Sequence, residues 1–308
     1  MERSPAAAPP AILCGGIAVQ DILMRVEAFP APGHKVSASD FVITGGGCAA
    51  NAAVAIARLG GRAAFTGPLG DPADAVSNRI LADLIAEQVD CSHVVRVSGA
   101  TASVSLILLD AEGEKTIATR RGHNLAAARP AQTDAAIAQI DGLLIDNRFP
   151  EFVADLCRAA RQRGIPVVID GDKPTSVDDP LLALGTHVIF STEGLRGTTG
   201  IDNPTTALMQ LRERLDGFLS VTDGPNGVFW IEDDAIRHRP AFAIRAVDTL
   251  GAGDTFHGAF TLALIEGQAI DQAMRFASAA AALKCLRFGG NSGTPSRAEV
   301  DEFLRTHG

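Results

Sequence analysis

Residues 248–260 read DTLGAGDTFHGAF. Three small residues, Gly251, Ala252 and Gly253, stand directly before an acid, Asp254, and helix-forming residues follow. A helix N-terminus leaves backbone N–H groups unpaired and carries positive partial charge, so a Gly-Ala-Gly approach lets an anion settle against bare amides. The acid beside that cradle is placed to take a proton from whatever attacks the anion. The same pattern also describes an N-cap or first-turn acid after a glycine-rich loop, so the rest of the chain has to decide.

Outward from this stretch, strand-like and helical segments alternate. Short apolar runs occupy residues 11–19, 63–68, 142–145, 166–169, 187–190, 217–221 and 228–231, and helical patterns at 51–59, 151–162 and 207–215 separate several of them. Strands recurring with helical crossovers predict a parallel sheet covered on both faces. Two segments break the rhythm. Residues 24–44 are rich in Pro and Gly with alternation near their end, and 102–120 (ASVSLILLDAEGEKTIATR) reads as a hairpin turning at 110–114. Together they predict a small β-lid, about 22–44 and 101–120, over a single 308-residue domain.

Composition narrows the class. With 46% hydrophobic residues the chain can bury a large core, and a net charge of −9 with dispersed signs offers no basic face to nucleic acid. Five cysteines, widely spaced and without CxxC, argue for reduced thiols rather than zinc or disulfides. No apolar run has the length of a signal or membrane segment, so a soluble cytoplasmic protein is expected.

Two further glycine motifs carry chemistry. TGGGCAANAAVAIARLG (44–60) lets backbone approach a ligand closely at Gly46 and Gly47, and Asn51 brings an amide able to donate and accept, as a sugar hydroxyl requires; a glycine turn with Asn51 as helix cap fits equally well. It does not match G-x-G-x-x-G, which counts against a dinucleotide enzyme. Asp21 lies just beyond the first strand, where an acid binds paired hydroxyls or forms a turn. VTDGPNG (221–227) can wrap phosphates through Thr222, Gly224 and Gly227, or simply turn the chain.

In this order, Asp21, GG…N, two lid-like excursions, TDGPNG and DTLGAGDTFHGAF, the chain resembles the ribokinase-like, or PfkB, sugar kinases over nearly its whole length. The resemblance implies an α/β, Rossmann-type three-layer body with a small β-sheet lid, ATP, Mg²⁺ and phosphorylation of a sugar hydroxyl. Asp254 would be the general base, and Gly251, Ala252 and Gly253 the anion hole. Asp21, Gly46, Gly47 and Asn51 would contact the sugar, while Thr222, Gly224, Gly227 and Ser278 would hold the nucleotide. Where many members carry Asn-x-x-Glu near the metal, FSTEGL here has Ser191 and Gly194, with Glu193 one place off register. Asp170 and Asp172 are alternative acids. Asp248 and Gly290 match the surroundings of a monovalent cation, K⁺, used by some members.

LLIDNRF, VIDGDKP, FSTEGL, FHGAF and RFASAAAALKCLRFGG are most similar to the sulfofructose kinase subgroup. That implies a ketose bearing an anionic group, held by Lys35 and Arg148. Thr119 takes the lid position where the subgroup places an amide, and Arg120 follows it. Neutral-sugar and nucleoside kinases, or a non-catalytic sugar sensor, are the alternatives. Unpaired lid edges suggest a homodimer.

Overall fold

The computed structural model describes residues 8–307. Its strands are β1 Ala11–Gly15, β2 Val19–Arg25, β3 Asp40–Gly46, β4 Arg62–Thr66, β5 Pro68–Leu69, β6 Val95–Arg96, β7 Ser103–Leu109, β8 Lys115–Arg120, β9 Gly142–Asp146, β10 Val167–Gly171, β11 His187–Ser191, β12 Phe218–Thr222, β13 Val228–Glu232 and β14 Ala235–Arg239. Eight form one sheet in the order β14-β13-β12-β11-β10-β9-β1-β4. Neighbours from β4 to β12 pair in parallel, and β13 and β14 add an antiparallel edge.

Successive residues of a strand face opposite sides, and the core divides accordingly. Ile12 and Cys14 pack with helices Cys48–Arg58, Ala252–Ile265 and Ile270–Cys285 on one side. Leu13, one residue between them, packs with Pro150–Gln162 and Pro204–Arg212 on the other. The three-layer α/β body expected from the alternating runs is therefore present. No helix of the described residues is long and apolar enough to cross a membrane.

A second sheet runs β3-β2-β7-β8. Its β7–β8 hairpin closes where Asp110 Oδ1 accepts from the amides of Glu112 at 3.1 Å and Glu114 at 2.8 Å. Strand β2 begins at Val19 and pairs with β3 on one side and β7 on the other. The apolar run read over residues 11–19 is thus two pieces, β1 and the start of β2. Asp21 is not in a turn after β1 but in the middle of β2, facing the body with Leu23, Thr44, Ser105 and Ile107, all buried. The opposite face leaves Phe41, Ile43 and Leu106 exposed at 52%, 41% and 42%.

Helices Cys48–Arg58 and Ala252–Ile265 approach closely because small residues line their contact. Ala49, Ala50, Ala52, Ala53 and Ala55 are buried, and a Cβ on Gly258 would lie 2.6 Å from the Ala52 carbonyl oxygen. That approach decides which side chains meet at the helix ends.

Candidate active site

Gly251 caps the helix Ala252–Ile265 with φ 76°, a left-handed conformation glycine adopts without strain. The amides of Gly253 and Asp254 find no acceptor among the described residues, while Ala252 donates to the Thr249 carbonyl at 3.3 Å. A Cβ on Gly253 would meet nothing within 4 Å, so open space lies against this helix end.

Asn51 is the fourth residue of its helix and not its cap; the cap position is Gly47. Its Nδ2 instead donates to Asp254 Oδ2 at 2.6 Å, across the two packed helices. Asn51 Oδ1 is buried without a partner. Burial pushes the Asp254 carboxyl above its ordinary range, opposed by the Asn51 hydrogen bond, and Asp172 raises it further. One turn on, His257 Nδ1 lies 2.7 Å from the Gly253 carbonyl oxygen and Nε2 3.2 Å from that of Ile189, tying the glycine turn to the sheet.

Other acids gather at the C-terminal ends of the parallel strands, where open α/β sheets bind ligands. Asp146 ends β9, and its carboxylate accepts from the amides of Ile17 at 2.8 Å, Ala49 at 3.1 Å and Arg148 at 2.9 Å. Burial raises it to about 6. Asp170 in β10 is raised to about 7, chiefly by burial, and its Oδ1 has no hydrogen-bond partner. Cys48 Sγ, Asp170 and Asp254 offer ligand atoms within 4.8 Å of one another. Asp21 is raised to about 6, first by burial, with a Ser105 hydrogen bond opposing. Gly46 makes room for it: a Cβ there would lie 2.1 Å from Asp21 Oδ2. A Cβ on Gly47 would lie 2.6 Å from the Ile17 carbonyl oxygen, so this glycine serves packing directly.

Arg148 follows β9 and forms an ion pair with Asp172, which follows β10. Lys35 is exposed in the segment between β2 and β3 and joins no described residue by hydrogen bond or ion pair. The structure does not bring it to Arg148 by any direct contact. Thr119 Oγ1 is 3.0 Å from Ser105 Oγ, and Arg120 donates to the Ala102 carbonyl at 3.3 Å and to Thr101 Oγ1 at 3.1 Å, so both are tied to the hairpin itself.

On the far side, Thr222 ends β12 and Gly224 begins a single 3₁₀ turn. A Cβ on Gly227 would lie 2.1 Å from the Arg239 carbonyl oxygen, so packing against β14 accounts for this glycine. Ser278 is partly exposed on the helix Ile270–Cys285. Ser191 Oγ accepts from the Gly194 amide at 3.0 Å and caps the next helix. A Cβ on Gly194 would lie 1.9 Å from the Gly171 carbonyl oxygen, which explains why no glutamate stands there. Glu193 is exposed.

Sequence reasoning missed Asp146 and Lys284. The first was signalled by an acid closing an apolar run opposite Gly15-Gly16. A lysine inside the otherwise apolar helical pattern AAAALKCL marked the second.

Comparison with known proteins shows the family. Residues 10–297 match the pfkB family carbohydrate kinases. The ribokinase of Haemophilus influenzae is 30% identical over 292 residues, 92% of this chain and 95% of its own. A crystal structure of an Agrobacterium tumefaciens protein provisionally called a ribokinase is 38% identical and superposes with a TM-score of 0.93, covering 97% of this chain and 98% of that one. Arabidopsis thaliana ribokinase, solved with ribose and ATP, gives 0.82 at 26% identity, covering 97% and 99%. With its glycine turn, acid and amide converging inside a match of this extent, the chain belongs to the PfkB family of carbohydrate kinases and is an ATP-dependent phosphotransferase with an alcohol group as acceptor.

Proposed function

We propose that Asp254 is the general base of this kinase, taking the proton of the sugar hydroxyl as its oxygen attacks the γ-phosphorus of ATP and ADP leaves. The observation that carries the proposal is the 2.6 Å bond from Asn51 Nδ2 to Asp254 Oδ2 beside the unpaired amides of Gly253 and Asp254. Phosphoryl transfer depends on positioning and charge stabilisation. The amides face the charge that develops on the transferred group, Asn51 fixes the rotamer of the base, and Asp21 accepts from sugar hydroxyls. Asp170, whose buried Oδ1 accepts no hydrogen bond and lies 3.6 Å from His257 Nε2, and the half-exposed Asp172, now paired with Arg148, would be the acids available to a divalent ion. Mg²⁺ held there would neutralise phosphate charge. Thr222, Gly224 and Ser278 would border the nucleotide. The small sheet would act as a lid excluding water, and its exposed apolar face supports a homodimer paired through the lids.

For the acceptor we propose a ketose with an anionic group, such as 6-deoxy-6-sulfofructose, exchanging with Asp172 as the partner of Arg148 while Lys35 closes from the lid. A neutral sugar is the second reading, favoured by the existing Arg148–Asp172 pair and by the relatives named ribokinase. ADP release with MgATP against neutral ketoses, ribose, nucleosides, phosphorylated ketoses and sulfofructose separates them. Preference for the anionic ketose, lost in Arg148→Ala and Lys35→Ala, supports the first; preference for ribose with both variants fully active overturns it.

A further inference from the structure

Asp248 and Gly290 stand where the family resemblance places a monovalent cation, yet the residues found there do not fit one. Asp248 has no exposed surface. Its Oδ1 accepts from the Leu250 amide at 2.8 Å, and its Oδ2 from the amides of Gly289 at 3.1 Å and Gly290 at 2.9 Å. Lys284, also without exposed surface, puts Nζ 3.2 Å from the same Oδ2 and donates to the Asp248 carbonyl at 2.8 Å. The one carboxylate that would attract an ion is thus saturated by three amides and already neutralised by a covalently attached ammonium. A further cation touching the same oxygens would repel that ammonium in a poorly screened interior.

The pair sits between the glycine turn and the small sheet. Leu250, pinned by Asp248, directly precedes Gly251 and the open amides of the helix end. Gly290 directly precedes Asn291, whose Oδ1 accepts from Thr44 Oγ1 of β3 at 2.5 Å. A buried charge is retained only where its partners are fixed, and removing one partner leaves the other stranded. The Asp248 carboxylate, itself held by the Lys284 ammonium, thus joins the glycine turn to the segment that meets the base of the small sheet.

We propose that Lys284 is a tethered replacement for a monovalent cation, a positioning residue that lets this kinase organise its anion-binding turn without K⁺. The proposal rests on the kinase activity only for its turnover arm; its melting arm needs no substrate.

The test compares the wild type with Lys284→Met and Lys284→Ala in tetramethylammonium chloride, KCl, NaCl and methylammonium chloride, reading thermal melting and ADP release with the best sugar of the panel. Wild-type melting and turnover should be the same in tetramethylammonium and in KCl. Displacement of the turn by about 1 Å in Lys284→Ala should lower kcat about 100-fold with little change in the sugar KM. K⁺ or methylammonium, entering the vacated space, should restore much of that loss and raise the variant's melting temperature, whereas Lys284→Met, which fills the space, should not be rescued. K⁺ activation of the wild type overturns the proposal. So does a Lys284→Ala enzyme fully active without added cation, or one whose loss no cation restores. If neither variant folds, the wild-type comparison decides: insensitivity to K⁺ upholds the inference, and a K⁺-dependent rise in melting or turnover refutes it.

Discussion

Asp254→Asn separates the chemistry of the site from its architecture. The amide keeps an oxygen to accept from Asn51 Nδ2, so the 2.6 Å contact between the two helices survives. What disappears is the proton acceptor, a group typically responsible for about 10²–10⁴-fold in rate, or about 3–5 kcal/mol of barrier. Stability should move the other way. Burial, with Asp172 adding to it, lifts the Asp254 carboxyl above its ordinary range, so folding favours its neutral form and the ionised form opposes folding. A neutral amide removes that opposition. Each 1 kcal/mol released raises Tm by about 2 °C in a chain of this size. Steady-state ADP release and differential scanning calorimetry at pH 7.5 make the test. A variant within tenfold of wild-type kcat would refute the base assignment (general bases supply about 10²-fold or more). A Tm several degrees lower would show that the acid is a structural cap instead.

Three further outcomes follow from local packing and burial. Gly258→Ala drives a methyl to 2.6 Å from the Ala52 carbonyl oxygen; it should cost about 1–3 kcal/mol and, by parting the helices, lower kcat more than it raises KM. Unchanged kcat beside a lowered Tm would show that the helix spacing does not set the Asn51–Asp254 contact. Gly194→Glu, which recreates the family's acid, places Cβ 1.9 Å from the Gly171 carbonyl oxygen and should destabilise by about 3 kcal/mol or more without improving Mg²⁺ dependence; a lowered Mg²⁺ requirement would refute this. His187, its ring tilted against those of Phe218 and Phe260, has its imidazole lowered from 6.5 to about 4 by burial. The unfolded chain therefore takes up a proton that the fold refuses, and stability complete above pH 6.5 is lost as pH falls toward 4, by up to about 3 kcal/mol. Urea titrations of His187→Phe should show a flatter pH profile over that window, and an identical profile would exclude this ring as the cause.

The parts legible in the sequence were those decided locally. Runs such as Leu143 to Ile145 and Val167 to Ile169 are apolar on both faces, and only a covered sheet accommodates that. The glycine turn before Asp254 was legible because its backbone conformation constrains residue type. Strand β2 was not, since Asp21 interrupts its apolar pattern and its pairing partners lie far along the chain in β3 and β7. Asn51 carried two readings until the packing of the alanine-lined helix against Gly258 aimed it at Asp254 and away from its own backbone. Gly227 looked like a phosphate position and Gly194 like the loss of a metal-site acid, yet each is fixed by a carbonyl oxygen that only the tertiary structure brings near.

Asp146 sets an order of events during synthesis. Its carboxylate is the acceptor for amides at residues 17 and 49, about a hundred residues earlier in the chain, and β9, which it ends, is also the strand that closes one side of β1. Strands β1 and β4 can pair as soon as the first 66 residues are made, but the turn after β1 and the start of the Asn51 helix stay without their acceptor until β9 arrives. On a ribosome, this part of the candidate site is consequently finished only after the middle of the chain has emerged, and a nascent chain halted before residue 146 would present an open sheet edge for chaperones to shield.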